Sequence, residues 1–385
     1  MNIIDYVRQV QDTFAERPLS PVDSLVLSQL SYCKFEYILE NETGLKRKHK
    51  WRLKDFCKGE YFDHVFADEI SDKENRKLFL TAVSSRRFRN LVVRNIVSQF
   101  DDHKEQEKQF AAMIFELDNY NDYVAFRGTD GSLLGWKEDF NLSFMDAVPS
   151  HKEAVRYINQ YYLHTIHGRR RKFYLGGHSK GGNIATYAGL MCSDKVQSRI
   201  IEIYSHDGPG FKNSVAEKLD FIQKQKKIRI KKTIPQTSMI GILLESNGET
   251  FVVKSNGVLI MQHSAYNWQI KENDFEYLDK LSQQGFFFNR TIREWLQSTD
   301  DESKERFVNT LFDVLTKNHI ESFNDMVHLT PRKLLEIHET VQNLDEEERK
   351  SFYSILKSLI SFSIKCLADR GFDEKVKKEE IIENN

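Results

Sequence analysis

Lys172-Phe173-Tyr174-Leu175-Gly176-Gly177-His178-Ser179-Lys180-Gly181-Gly182-Asn183-Ile184-Ala185 is the stretch whose reading decides the fold. Phe173 to Leu175 is a short run of apolar β-formers, a glycine-rich turn follows, and Asn183 to Leu190 has the apolar spacing of a buried helix. The order is strand, sharp turn, helix. Gly177 and Gly181 flank Ser179 as Gly-x-Ser-x-Gly, an arrangement in which a strained backbone lifts the serine hydroxyl into the open above a sheet. Glycine is required two residues to either side because the strand and helix backbones approach too closely there for a Cβ. The turn also frees the amide of Lys180, first in the helix, to stabilise negative charge.

Working outward, the chain before this serine turn, a nucleophile elbow, reads as a hairpin. Ala111 to Leu117 and Tyr123 to Phe126 are strands around the polar turn Asp118-Asn119-Tyr120-Asn121-Asp122, and the second ends in Arg127-Gly128-Thr129-Asp130-Gly131. Acyl transfer needs two donors for the developing oxyanion, one after the nucleophile and one from an earlier strand end. Thr129 fits the second, through its amide and its hydroxyl, beside the amide of Lys180. Gly135-Trp136-Lys137-Glu138-Asp139-Phe140 follows, where Asp139 reads either as a brace accepting from the amides of this loop or as a helix-starting surface residue. His151 to His164 is a helix that crosses over to the elbow strand.

After the elbow, Ile200 to Ser205 is a strand that runs into His206-Asp207-Gly208-Pro209-Gly210-Phe211. Asp207 stands where the acid of a Ser, acid, His order belongs, with turn formers behind it. Lys227 to Ile230 reads as a further strand, and Thr250 to Lys254 with Gly257 to Met261 as a late hairpin around Ser255-Asn256. Among the histidines beyond the elbow, His206 abuts the acid and His319, His328 and His338 lie in helical patterns. His263, in a loop after the last strand run, is left as general base.

The rest of the chain is architecture. Val22, Leu25, Val26, Leu30 and Cys33 mark a packing helix begun by Pro21 and Asp23. Residues 75–110 read as charged helix with Phe79, Ala82, Phe88, Leu91 and Val92 inward, and residues 40–110 as a cap or flanking layer. From residue 289 the pattern is helical, with one stripe at Phe307, Leu311, Phe312 and Leu315 and another at Phe352, Ile355, Leu356, Leu359 and Ile360. Gly285-Phe286-Phe287-Phe288 reads as a core plug or as the lining of an acyl pocket. The domain expectation is therefore 1–288 for the catalytic unit, 289–370 for a helical extension and 371–385 for a charged, disordered tail.

Composition sets limits. A formal net charge of -1 gives no global pull toward nucleic acid or anionic membrane, and the basic runs Lys46 to Lys54 and Lys224 to Lys232 read as solvated surface. The four cysteines, Cys33, Cys57, Cys192 and Cys366, show neither a disulfide framework nor zinc spacing. No apolar run approaches a membrane span and the N-terminus lacks a signal pattern, so a cytoplasmic protein without metal or cofactor is expected, with peripheral membrane contact still open. Oligomeric state is not legible.

Val124-Ala125-Phe126-Arg127-Gly128-Thr129 together with Gly177-His178-Ser179-Lys180-Gly181-Gly182 resembles the class 3 lipase branch of the α/β-hydrolases. Gly135 to Phe140, Gly176 to Asn183, Ser205 to Phe211, and Gln262-His263 with Trp268 more closely resemble the bacterial Mbeg-like family of hydrolases. The resemblance implies an α/β-hydrolase fold with a mostly parallel sheet flanked by helices, Ser179 as nucleophile, and His263 in the place of the lipases' histidine. Two departures stand out. Lys180 replaces a common leucine, which argues against neutral triglyceride as substrate, and Lys232-Thr233-Ile234-Pro235 lacks the acid of the lipases' Asp-x-Val-Pro, leaving that role to Asp207. The expectation is a serine hydrolase acting on small-molecule or lipid esters; a thioesterase, peptidase or acyltransferase, or a silent scaffold of the same shape, are the alternatives.

Overall fold

Alternation along Lys108–Glu116 sorts the interior into two cores. Met113 and Phe115 join one apolar cluster while Phe110, Ala112 and Ile114 join another, the period of two expected of a strand buried on both faces. The computed structural model describes residues 1–42, 50–67, 71–101, 108–320, 325, 329–355 and 357. Its strands are β1 (Trp51–Arg52), β2 (Val92–Asp101), β3 (Lys108–Glu116), β4 (Asn121–Phe126), β5 (Lys172–His178), β6 (Ile200–His206), β7 (Ile230–Pro235), β8 (Glu249–Val253), β9 (Ile270–Lys271), β10 (Asp274–Phe275) and β11 (Tyr277–Leu278). Nine form one sheet in the order β1-β2-β3-β4-β5-β6-β7-β8-β11. The segment β4 to β8 is parallel, whereas β1 to β4 and the β8–β11 edge pair antiparallel, so the sheet is parallel at its centre rather than throughout.

The principal helices are α1 (Ile3–Gln9), α2 (Pro21–Leu30), α3 (Asp72–Ser84), α4 (Leu133–Asn141), α5 (Pro149–His164), α6 (Lys180–Met191), α7 (Asn213–Lys226), α8 (Gln283–Ser298), α9 (Asp301–Lys317) and α10 (Pro331–Gln342). Residues of α1, α2 and α3 fill the core on one sheet face, and those of α5, α6 and α7 fill the core on the other. This is an α/β sandwich, one central sheet with helices on both faces. Ser20 caps α2 through a reciprocal box with Asp23, Pro21 opens its first turn, and Val22 to Leu30 are all buried. In the C-terminal helices, Phe307, Val314, Val341, Phe352 and Ile355 form a smaller core of their own.

Several expectations are corrected here. Helix ends at Ser84 within 75–110, and Val92–Asp101 is strand β2, with β1 and β2 continuing the sheet beyond β3. A register shift between Arg94 and Val97 breaks the alternation that would have marked it. The second arm of the late hairpin is absent: Leu259–His263 is a 3-10 turn, and Val258 and Met261 are exposed. Helix begins at Gln283, so residue 288 lies inside α8, because the Ser282 hydroxyl accepts from the Gly285 amide. Lys232 is no surface lysine, being 3 % exposed with its Nζ donating to Ser246 Oγ at 2.5 Å. Phe286 is exposed rather than plugging a core. Lys46 to His49, Leu356, Leu359, Ile360 and the tail 371–385 lie outside the described residues.

Candidate active site

Strands β4, β5 and β6 end almost level, Phe126 opposite Gly177 and His178 opposite His206, so the three loops that follow share one edge of the sheet. At the end of β5 the chain turns at Ser179, with φ 57° and ψ -136°. A non-glycine residue in that region is strained by about 1–3 kcal/mol. The turn is held because the Ser179 amide donates to His206 O at 2.9 Å and the Gly182 amide to Ser179 O at 2.9 Å. A Cβ on Gly177 would lie 2.2 Å from the Gly181 carbonyl carbon, and one on Gly181 2.2 Å from Phe126 O, which is why both positions demand glycine.

Asp207 follows β6 in a left-handed conformation, φ 49°, and is fully buried. Its amide donates to Thr233 O at 2.7 Å, tying it to β7. One carboxylate oxygen, Oδ1, accepts from Ser238 Oγ at 2.5 Å and from the Gly241 amide at 3.1 Å. The other, Oδ2, lies 2.6 Å from His263 Nδ1. Residues 56 apart in sequence thus meet, while the acid loop packs on the elbow, with a Cβ on Gly208 falling 2.9 Å from Ser179 O. The Ser179 hydroxyl makes no hydrogen bond among the described residues, to His263 or to any other group.

His263 is seated from three sides. Its carbonyl accepts from His178 Nε2 at 2.8 Å, which fixes the His178 tautomer, and the two imidazole centroids are 4.6 Å apart. Trp268 Nε1 donates to Gln262 O at 2.9 Å, and Gln262 Oε1 accepts from the Thr237 amide at 2.8 Å. Burial, and then the neighbouring His263, hold the His178 pKa down to about 3, so this ring stays neutral. His206 is likewise held at about 3 by burial, between Ser24 Oγ at 2.8 Å and Thr233 Oγ1 at 2.7 Å.

The Thr129 loop lies against the elbow, since a Cβ on the preceding Gly128 would be 2.6 Å from His178 O and 3.2 Å from Ser179 Cβ. Arg127 anchors the strand end from behind, donating to Ser31 O at 2.6 Å and to both oxygens of Glu36 at 2.9 and 3.1 Å. The Thr129 hydroxyl donates to Asp139 Oδ2 at 2.6 Å, a side-chain contact in place of the amide contacts expected of Asp139. Burial raises the Asp139 pKa to about 6, against the pull of Lys180 and Thr129, and its Oδ1 is buried without a hydrogen-bond partner. The Lys180 ammonium does not face a ligand: it is fully buried, 3.0 Å from Glu138 Oε2. Burial would lower its pKa, but Glu138 and Asp139 hold it above the ordinary lysine value. Turned inward in this way, the Lys180 cation gives no reason to exclude a neutral triglyceride.

Sequence reading missed His178, Arg127, Glu138, Ser238 and Gly241. Only His178 carried a local signal, its place next to the serine. Among the described residues no three His, Cys, Asp or Glu side chains gather as metal ligands, and no helix is long and apolar enough to cross a membrane.

No curated protein matches the chain. Among solved structures, lipase II from Rhizopus niveus is 14% identical, covering 66% of this chain and 84% of its own at a TM-score of 0.38. A lipase from Rhizopus microsporus var. chinensis is 15% identical, covering 60% and 73% at a TM-score of 0.35. Likeness of that degree says nothing about chemistry. A model of the Mbeg1-like family matches residues 82–313, more than half of the sequence, and with the elbow and the loops around it inside that span, the chain belongs to the Mbeg1-like family.

Proposed function

We propose that the protein is a serine hydrolase that cleaves carboxylic esters through an acyl-enzyme on Ser179. The observation that carries this reading is the Asp207 to His263 hydrogen bond, formed by a loop that packs directly on the elbow. In the proposed cycle Ser179 Oγ attacks the acyl carbon and gives its proton to His263 Nε2, while Asp207 holds the imidazole tautomer and offsets its charge. The amides of Thr129 and Lys180 receive the oxyanion. Collapse of the tetrahedral species expels the alcohol, which takes the proton from His263, and water repeats the sequence to release the acid. The scheme needs neither metal nor cofactor.

An apolar acyl group suits the exposed Val258 and Met261, which stand in the segment that leads into His263. A lipid ester met at a membrane surface is the substrate class this favours, and free thiols at Cys57 and Cys192 agree with a cytoplasmic setting. Fluorophosphonate labelling tests the reading. Labelling that disappears in Ser179→Ala and weakens in His263→Ala supports it; well-folded parent that takes no label favours a scaffold. Paired p-nitrophenyl esters and thioesters of rising chain length then separate an esterase from a thioesterase.

A further inference from the structure

We infer that the buried Lys180–Glu138 pair is a positioning device that fastens the two halves of the oxyanion site to one helix, an inference that rests on the esterase reading above. Lys180 supplies the first amide of α6, and its side chain runs inward to Glu138 on α4, both side chains being 0% exposed. Glu138 is otherwise saturated: Oε1 accepts from the Ser150 amide at 2.9 Å, and Oε2 from Ser150 Oγ at 2.9 Å and the Gln109 amide at 3.3 Å. Gln109 reaches the same cluster from β3, its Oε1 3.4 Å from Lys180 Nζ and its Nε2 donating at 3.1 Å to Ser132 Oγ, the cap of α4. The next residue, Asp139, takes the Thr129 hydroxyl at 2.6 Å. Consecutive carboxylates on α4 thus hold the residue after the nucleophile and the residue at the end of the β4 loop.

Stability is a poor explanation for this pair. Burying two charges costs more in desolvation than well-packed apolar side chains of the same volume, so an ion pair at this depth is better explained by the geometry it imposes. With its ammonium sealed from solvent, Lys180 acts through its own backbone: the side chain is a strut of fixed length between α6 and α4, and a shift of either donor has to drag α4 with it. Transition-state charge stabilisation depends on donors already in place, which is the property such a strut confers.

Steady-state hydrolysis of p-nitrophenyl butyrate by the full chain tests this with Lys180→Met, Glu138→Gln and the double variant. Lys180→Met is expected to lower kcat about 30- to 100-fold with KM changed less than about twofold, and to weaken phenylboronic acid, a mimic of the tetrahedral state, by a similar factor. The double variant removes both charges of the pair and leaves only Asp139, held by the Thr129 hydroxyl, without its cation, so it is expected to melt closer to the parent than Lys180→Met does and yet keep the kcat loss. Parental kcat in the double variant would overturn the inference, because the pair would then merely offset its own charges. A rise in KM with kcat unchanged would overturn it too, by putting the ammonium on the substrate. If Lys180→Met does not fold, the double variant carries the test. A parent that neither takes fluorophosphonate nor turns over esters removes the esterase reading and this inference with it, whereas an active parent with a fully active double variant removes only the pair's role.

Discussion

His263 Nδ1 lies 2.6 Å from Asp207 Oδ2, and that carboxylate is wholly removed from solvent. A buried acceptor on Nδ1 leaves Nε2 free of its proton, the form a general base needs. Asp207→Asn substitutes a neutral amide and loses both the tautomer control and the charge offset, so kcat is expected to fall about 10³- to 10⁴-fold. Glu245→Gln is the matched control, since Glu245 pairs with the exposed Arg293 and not with His263, and it should leave kcat within about twofold of the parent. Measured side by side, equal rates for Asp207→Asn and parent would remove Asp207 from the mechanism.

Ser238 and Gly241 set the orientation of that carboxylate. Ser238→Ala removes the 2.5 Å donor to Oδ1 but leaves the Gly241 amide, so a kcat loss of about 3- to 30-fold with little change in KM is expected. Gly241→Ala should be worse. Its Cβ would stand 2.2 Å from Asp207 Oδ1, forcing the carboxylate off His263, so activity and melting temperature both drop. Steady-state kinetics alongside thermal melts check the order; a Gly241→Ala protein as active as Ser238→Ala would mean the loop yields without moving Asp207.

What the sequence made legible was local, and what it hid was topological. Strand, glycine turn and helix at Phe173 to Leu190 sit within one continuous run, and the Asp207 turn ends the next strand, so spacing suffices to find them. Strand β2 is an antiparallel strand near the sheet edge with a register shift, and its charged residues disguise the period of two. Val258 and Met261 are apolar without being interior, which misled a reading based on hydrophobic runs. Lys180 and Glu138 are 42 positions apart, and nothing in either neighbourhood announces that two helices will bring them within 3.0 Å. The lysine next to the serine was visible, but its direction, inward and away from the substrate, depends on a partner that only the fold supplies.

Acid should unfold the protein through histidines buried in the neutral form. Burial holds His151 at about 4 and His178 and His206 at about 3, against an ordinary value near 6.5 in the unfolded chain. Unfolding therefore takes up protons below about pH 6.5, and the stability these rings contribute above it is lost as pH falls toward 3, by about 1.4 kcal/mol per ring per pH unit within the window. Asp122 and Asp139, raised to about 6 by burial, work in the opposite direction between about pH 4 and 6 and soften the slope. Proton NMR of the imidazoles reads the effect directly: His178 and His206 should show no titration from pH 7.5 down to about 4.5, and His151 only the onset of one below about pH 5, while the protein stays folded. A midpoint near 6.5 for His178 or His206 in the folded state would contradict their burial.

Arg87 and Asp23 test the opposite face, where α2 lies against the strands that carry the site. Both side chains are fully buried, Arg87 Nε and Nη2 donating to Asp23 at 2.8 and 2.6 Å, with the Phe14 ring 3.9 Å beneath the guanidinium. Arg87 also caps the carbonyls of Asp12, Arg17 and Pro18, and Asp23 accepts the Tyr6 hydroxyl at 3.0 Å. Arg87→Met strands the carboxylate and orphans three carbonyls, so a loss of about 3–5 kcal/mol in urea unfolding is expected. Adding Asp23→Asn removes the buried charge and should return part of that stability, leaving the carbonyl losses in place. Because the pair touches neither Ser179 nor His263, fluorophosphonate labelling per folded molecule should match the parent in both variants. A labelling loss that persists in the refolded double variant would mean that α2 transmits strain to the elbow through β5.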